Sequence, residues 1–122
     1  MSKARVLAVV WTFVTLGLHS IPRAQLLELP GGETLVSTSG SDKVAHVFLF
    51  GVLALLWTRA TEYRPLAVVA GGLAYGAILE LYQEWLIPGR SGSLPDLVAD
   101  AVGLAIGAGI AARWFRGKAS GP

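Results

Sequence analysis

The chain has no cysteine, so it forms neither a disulfide framework nor a thiolate metal site and offers no thiol nucleophile. Charge is scarce as well: 15% of the 122 residues are Asp, Glu, Lys or Arg, against roughly 25% in ordinary soluble domains. With 53% of residues hydrophobic, that shortage points to lipid as the surrounding medium. A pI near 9.3 does not indicate nucleic acid, because the bases are scattered at helix ends instead of gathered in one patch. No H-E-x-x-H or similar close pair of metal ligands occurs, and there is no nucleophile elbow. No metal or cofactor is therefore assigned, and an enzyme is not the first expectation. Long apolar runs are missing too, each being shorter than the ~18 residues usually asked of a single spanning segment.

What is present restores the missing length. If the polar ends are counted as helix, the segments reach the ~20 residues that cross a hydrocarbon core. The pattern predicts an all-α polytopic membrane protein. It forms a four-transmembrane-helix bundle within a single domain, 1–122, with spans at about 4–21, 42–59, 65–87 and 94–115. Lys3, Arg5 and the run Val6 to Leu18 resemble a signal peptide. The following His19-Ser20-Ile21-Pro22 lacks the small residues of a cleavage site, so an uncleaved first helix ending at Pro22 is expected. Arg23 to Ser41 reads as polar loop. Ser41 is the expected cap of the second helix, Pro65 suits the first turn of the third, and Ser93 caps the fourth. Gly72 and Gly76, then Gly103 and Gly107, have small-xxx-small spacing and predict close packing of the third span on the fourth, with Gly71 and Gly109 also read as packing residues. Trp11, Trp57, Trp85 and Trp114 read as interface anchors.

The informative stretch is Glu80 to Asp100, ELYQEWLIPGRSGSLPDLVAD, which places polar groups between two apolar runs. Asp42, Lys43 and His46 open another run. Ionisable side chains at membrane helices are costly to bury and mark a site or an interhelical lock. Lys3, Arg5, Arg59, Arg64, Arg113, Arg116 and Lys118 cluster on one side with Glu62 as the only acid, and only Arg23, Lys43 and Arg90 fall on the other. Basic loops stay inside, so both termini are expected to be cytoplasmic and the polar constellation to face outward. Asp42, Lys43, Glu84 and Arg90 read best as interfacial ion pairs, and His46 as a hydrogen-bonded lock, a general base or a ligand.

Asp42-Lys43-x-x-His46, Glu80-x-x-Gln83, Pro88-Gly89-Arg90 and Ser93-x-x-Asp96-x-x-x-Asp100-x-x-Gly103-x-x-x-Gly107, in this order, resemble the VanZ-like family over roughly residues 4 to 115. Asp100 departs from the family pattern, which commonly has Asn there. The resemblance implies a small multi-pass protein of the bacterial cytoplasmic (inner) membrane, related to an accessory protein of teicoplanin resistance. As an accessory envelope protein it would affect glycopeptide susceptibility by binding or masking an envelope component. The candidate ligand-binding residues are Asp42, Lys43, His46, Glu80, Gln83, Arg90, Asp96 and Asp100, and His46, Glu80 and Asp96 are the candidates for any catalysis. Expected partners are membrane lipids and a lipid-linked cell-wall precursor or lipoglycopeptide, with no nucleic acid. Two alternatives stay open: a membrane-embedded enzyme acting on a lipid-linked head group, and a structural partner of a larger membrane complex.

Overall fold

The computed structural model describes residues 1–33 and 39–119, and among them there is no strand. The helices are α1 (Lys3–His19), a short α2 (Arg23–Glu28), α3 (Ser39–Ala60), α4 (Pro65–Leu86) and α5 (Leu94–Ala119). Among the described residues three segments, Asp42–Ala60, Pro65–Leu86 and Leu94–Trp114, are long and apolar enough to cross a membrane. The expected fourth span is not among them. α1 has 17 residues, about 26 Å at the α-helical rise, against a hydrocarbon core of about 30 Å. It closes early because the Ser20 hydroxyl donates back to the Leu16 carbonyl at 2.7 Å and the Ser20 N–H meets the carbonyls of Gly17 and Leu18. α2 forms where the sequence reads as plain loop, and its first N–H donates to the Pro88 carbonyl at 3.2 Å.

Local chemistry explains the other starts. Pro65 opens α4 where no intrahelical donor is required. The Ser93 hydroxyl accepts from the Asp96 N–H at 3.1 Å and caps α5. α3 begins at Ser39, upstream of the expected Ser41 cap, and the Ser41 side chain lies outside the described residues.

α3 is the centre of the bundle, packing most extensively on α5 and also against α1 and α4. The core is a thin seam built from Phe50, Leu53, Ala54, Leu79, Leu104 and Ala108. Phe13, Phe48, Leu66, Ile78 and Ile110 are more than half exposed on the outside, an apolar exterior that suits lipid.

The glycine stripes sort differently from the expected pairing. A Cβ on Gly103 would strike the Val47 carbonyl, and one on Gly107 the Gly51 carbonyl, so this stripe of α5 lies on α3 rather than on α4. Gly72 and Gly76 of α4 do face α5, at Leu104 and Asp100, while Gly71 and Gly109 meet nothing within 4 Å and are not packing residues. The tryptophans divide as well. Trp11 donates to the Leu49 carbonyl and Trp57 to the Thr12 hydroxyl, each at 2.9 Å, so both tie α1 to α3. Trp85 and Trp114 are exposed, as anchors require.

Candidate functional site

Ionisable side chains from four helices converge at one end of the bundle. Asp100 is 0% exposed, and His19, His46, Glu80 and Asp96 are buried with it. Such groups are stable in an apolar setting only if each finds a partner, so their hydrogen bonds define the site.

His46 on α3 donates from Nδ1 to Asp100 Oδ1 on α5 at 2.7 Å. This fixes the ring and leaves Nε2, at 3.7 Å from Asp42 Oδ1 and 3.9 Å from Asp96 Oδ2, beyond hydrogen-bond range. Lys43 Nζ donates to Asp96 Oδ1 at 2.5 Å and stands 3.6 Å from Asp42 Oδ2. One ammonium thus lies between the two carboxylates at the mouth. Glu80 on α4 turns Oε2 toward the loop and accepts from the Ser93 N–H at 2.8 Å. A capping box would take that acceptor from the first turn of α5 itself; here Glu80 of a neighbouring helix provides it.

The remaining candidates hold backbone. Gln83 Nε2 donates to the His19 carbonyl at 3.2 Å and Arg90 donates to the Ile21 carbonyl at 2.8 Å, so both clamp the end of α1 against α4 and its loop. Glu84 accepts from the Gly92 N–H at 2.7 Å. Neither Arg90 nor Glu84 forms an ion pair among the described residues, contrary to the sequence reading; each finds a loop or helix-end backbone group closer. Burial lowers the Arg90 guanidinium from its ordinary value, and the carboxylates of Asp42, Glu80 and Asp96 pull it back up.

The structure therefore brings Asp42, Lys43, His46, Glu80, Asp96 and Asp100 together and sets Gln83 and Arg90 beside them as clamps. It adds His19, which the sequence reading passed over. The His19 ring lies perpendicular to that of His46, with centroids 5.3 Å apart. The available signal was a histidine closing an otherwise apolar helix. Among the described residues two sets of side chains present ligand atoms close enough to share an ion, His19 with His46 and Glu80, and Asp42 with His46 and Asp96. A cleft of about 420 Å³ lies elsewhere, lined by Thr12, Trp57, Arg64, Gly72 and Tyr75 among others. It contains none of the buried ionisable groups of the polar end.

Chemically, the polar end can orient an imidazole as base or ligand, through the fixed Nδ1–H of His46. It can also meet an anion with Lys43 and hold a cation among its carboxylates and imidazoles. A family model described as VanZ/LLP1 matches residues 5–116, and the chain belongs to that family. No curated protein and no solved structure matches the chain.

Proposed function

From membership of the VanZ/LLP1 family, we propose that the protein is an accessory component of the bacterial inner membrane that binds the polar head of an envelope component and thereby alters susceptibility to teicoplanin-type glycopeptides. The observation that carries this reading is the burial of His46, Glu80, Asp96 and Asp100 at one end of an apolar bundle, with the half-exposed Asp42 and Lys43 at their mouth, where isolated charges are expensive and tend to mark function. The excess of bases around the amino terminus, the α3–α4 turn and the tail supports cytoplasmic termini and an outward polar end, since α1, although shorter than the three full spans, still runs from Arg5 beside that turn to His19 beside His46. Lipid-linked cell-wall precursors and lipoglycopeptides carry anionic or hydroxyl-rich heads next to an apolar tail, which is the combination that a polar rim on a lipid-facing bundle accommodates.

A second reading, an enzyme acting on a lipid-linked head group, draws support from the pairing of His46 with Asp100, the arrangement that holds an imidazole ready as a general base. The test is teicoplanin susceptibility of a Gram-positive host expressing the chain, beside Glu80→Gln and Lys43→Gln variants matched for amount in the membrane. Resistance that rises with the wild type and falls back with either variant supports the accessory reading. An unchanged wild type refutes it, and release of a head-group product from lipid-linked precursor supports the second.

A further inference from the structure

We propose that His19, His46 and Glu80 form a binding site for one divalent first-row transition-metal ion, at the point where α1, α3 and α4 meet. The argument starts from hydrogen positions. His19 Nδ1 lies 2.8 Å from the Thr15 carbonyl oxygen, which can only accept, so the proton sits on Nδ1 and Nε2 carries a lone pair. That Nε2 is buried and has no hydrogen-bond partner among the described residues.

His46 repeats the arrangement. Its Nδ1 lies 2.7 Å from the fully buried Asp100 carboxylate, so in the neutral ring with its proton on Nδ1 the ligating atom is Nε2. Glu80 uses Oε2 on the Ser93 N–H, and its Oε1 is buried without a hydrogen-bond partner among the described residues. The three residues come from three helices, and one ligand atom of each lies within 4.8 Å of the others. Lone pairs facing each other in a dry site repel. A cation among them turns the same geometry into an attraction.

The imidazoles also carry the outer partners that metal-bound histidines ordinarily have, a backbone carbonyl for His19 and a carboxylate for His46. Their spacing agrees. A tetrahedral ion with metal–nitrogen bonds of about 2.0–2.1 Å holds two imidazole centroids about 5 Å apart, and the rings stand 5.3 Å apart and perpendicular. The competing set, Asp42 with His46 and Asp96, already has its cation in Lys43, whereas no Lys or Arg nitrogen among the described residues pairs with Glu80.

Two nitrogens and one carboxylate oxygen suit Zn²⁺, Fe²⁺, Co²⁺ or Mn²⁺ better than Ca²⁺ or Mg²⁺, which prefer oxygen alone. Three protein ligands leave a coordination position for water or for an anionic oxygen of a ligand. The inference concerns metal binding by the chain itself and does not rest on any effect on glycopeptide susceptibility.

The test uses the full chain purified in detergent, loaded with Co²⁺ or with Zn²⁺, desalted, and assayed for retained metal and for the visible Co²⁺ spectrum. The expected result is one ion per chain, an intense four-coordinate Co²⁺ spectrum abolished by Zn²⁺, and retention at least roughly tenfold weaker in His19→Ala and Glu80→Gln. Asp42→Asn should keep the ion. Each variant is first shown by circular dichroism to retain its helices. A wild type that retains no metal overturns the proposal and leaves a shared proton as what bridges these acceptors. Unchanged retention in His19→Ala, or loss in Asp42→Asn, overturns it by moving the ion to the Lys43 side.

Discussion

A graded series of glycine substitutions tests whether backbone contact between α3 and α5 holds the bundle together. Gly109→Ala and Gly103→Ala make the same change in the same helix, so the gain in helix propensity, about 1 kcal/mol, is common to both and cancels in their difference. At Gly109 the new methyl group meets nothing within 4 Å. At Gly103 it meets the Val47 carbonyl and the Gly51 amide, both backbone, and no rotamer change relieves the contact. Overpacking of this kind costs about 1–3 kcal/mol. Gly103→Ala should therefore fall about 1–3 kcal/mol below Gly109→Ala. Gly72→Ala should lie between them, since its methyl group would meet only the Leu104 side chain. Gly103→Leu should prevent assembly. The assay is reversible unfolding in mixed micelles, followed by circular dichroism and tryptophan fluorescence. If Gly103→Ala is as stable as Gly109→Ala, the close approach of α3 and α5 is not what supports the fold.

Three further outcomes follow from individual contacts. His46→Ala leaves Asp100 buried without its partner, and breaking a buried pair from one side costs about 3–5 kcal/mol; a loss below about 1 kcal/mol, the range of exposed pairs, would show that Asp100 is not held as an anion by His46. Arg90→Ala removes the donor to the Ile21 carbonyl, a charged hydrogen bond worth about 1.5–3 kcal/mol, and hydrogen exchange should accelerate across Ser20 to Ala24 while α5 stays protected. Trp57→Phe deletes the bond to Thr12 and should cost about 0.6 kcal/mol, the mean for interhelical bonds in membranes; Trp85→Phe on the exposed surface should be silent in the same unfolding assay.

The three long spans and the gathering of polar side chains at one end of them were legible because an ionisable residue beside an apolar run has few tolerable positions. Asp42, Lys43, His46, Glu80, Asp96 and Asp100 announce a buried polar end from their order alone, and Ser93 and Pro65 act as local chemistry requires. What stayed hidden depends on neighbours. A glycine stripe gives a face of a helix but not the helix it meets, so the spacing of Gly103 and Gly107 points to α4 while the two residues lie on α3. Arg90 has a long reach, and nothing in its own segment distinguishes a carboxylate partner from the carbonyl of Ile21, far away in sequence. The length of α1 turned on Ser20, whose hydroxyl satisfies Leu16 and closes the helix before Pro22. His19 was missed for a related reason: at the end of an apolar run a lone histidine looks like a terminal polar residue, and only the crossing of α1 over α3 sets it against His46.

Packing and chemistry meet in one place. Val47, whose carbonyl leaves no room for a Cβ on Gly103, follows His46 directly in α3, and Gly103 lies one turn beyond Asp100 in α5. The 2.7 Å bond from His46 to Asp100 therefore spans a gap whose width the glycine sets. Any side chain at position 103 pushes the two backbones apart at the level of that bond, loosening the imidazole that Asp100 orients. Gly72 lies at Leu104, deeper in the core and away from His46. Gly103→Ala should accordingly weaken metal retention as well as stability, whereas Gly72→Ala should affect stability alone. Equal retention by the two variants would mean that the His46–Asp100 geometry does not depend on the glycine contact.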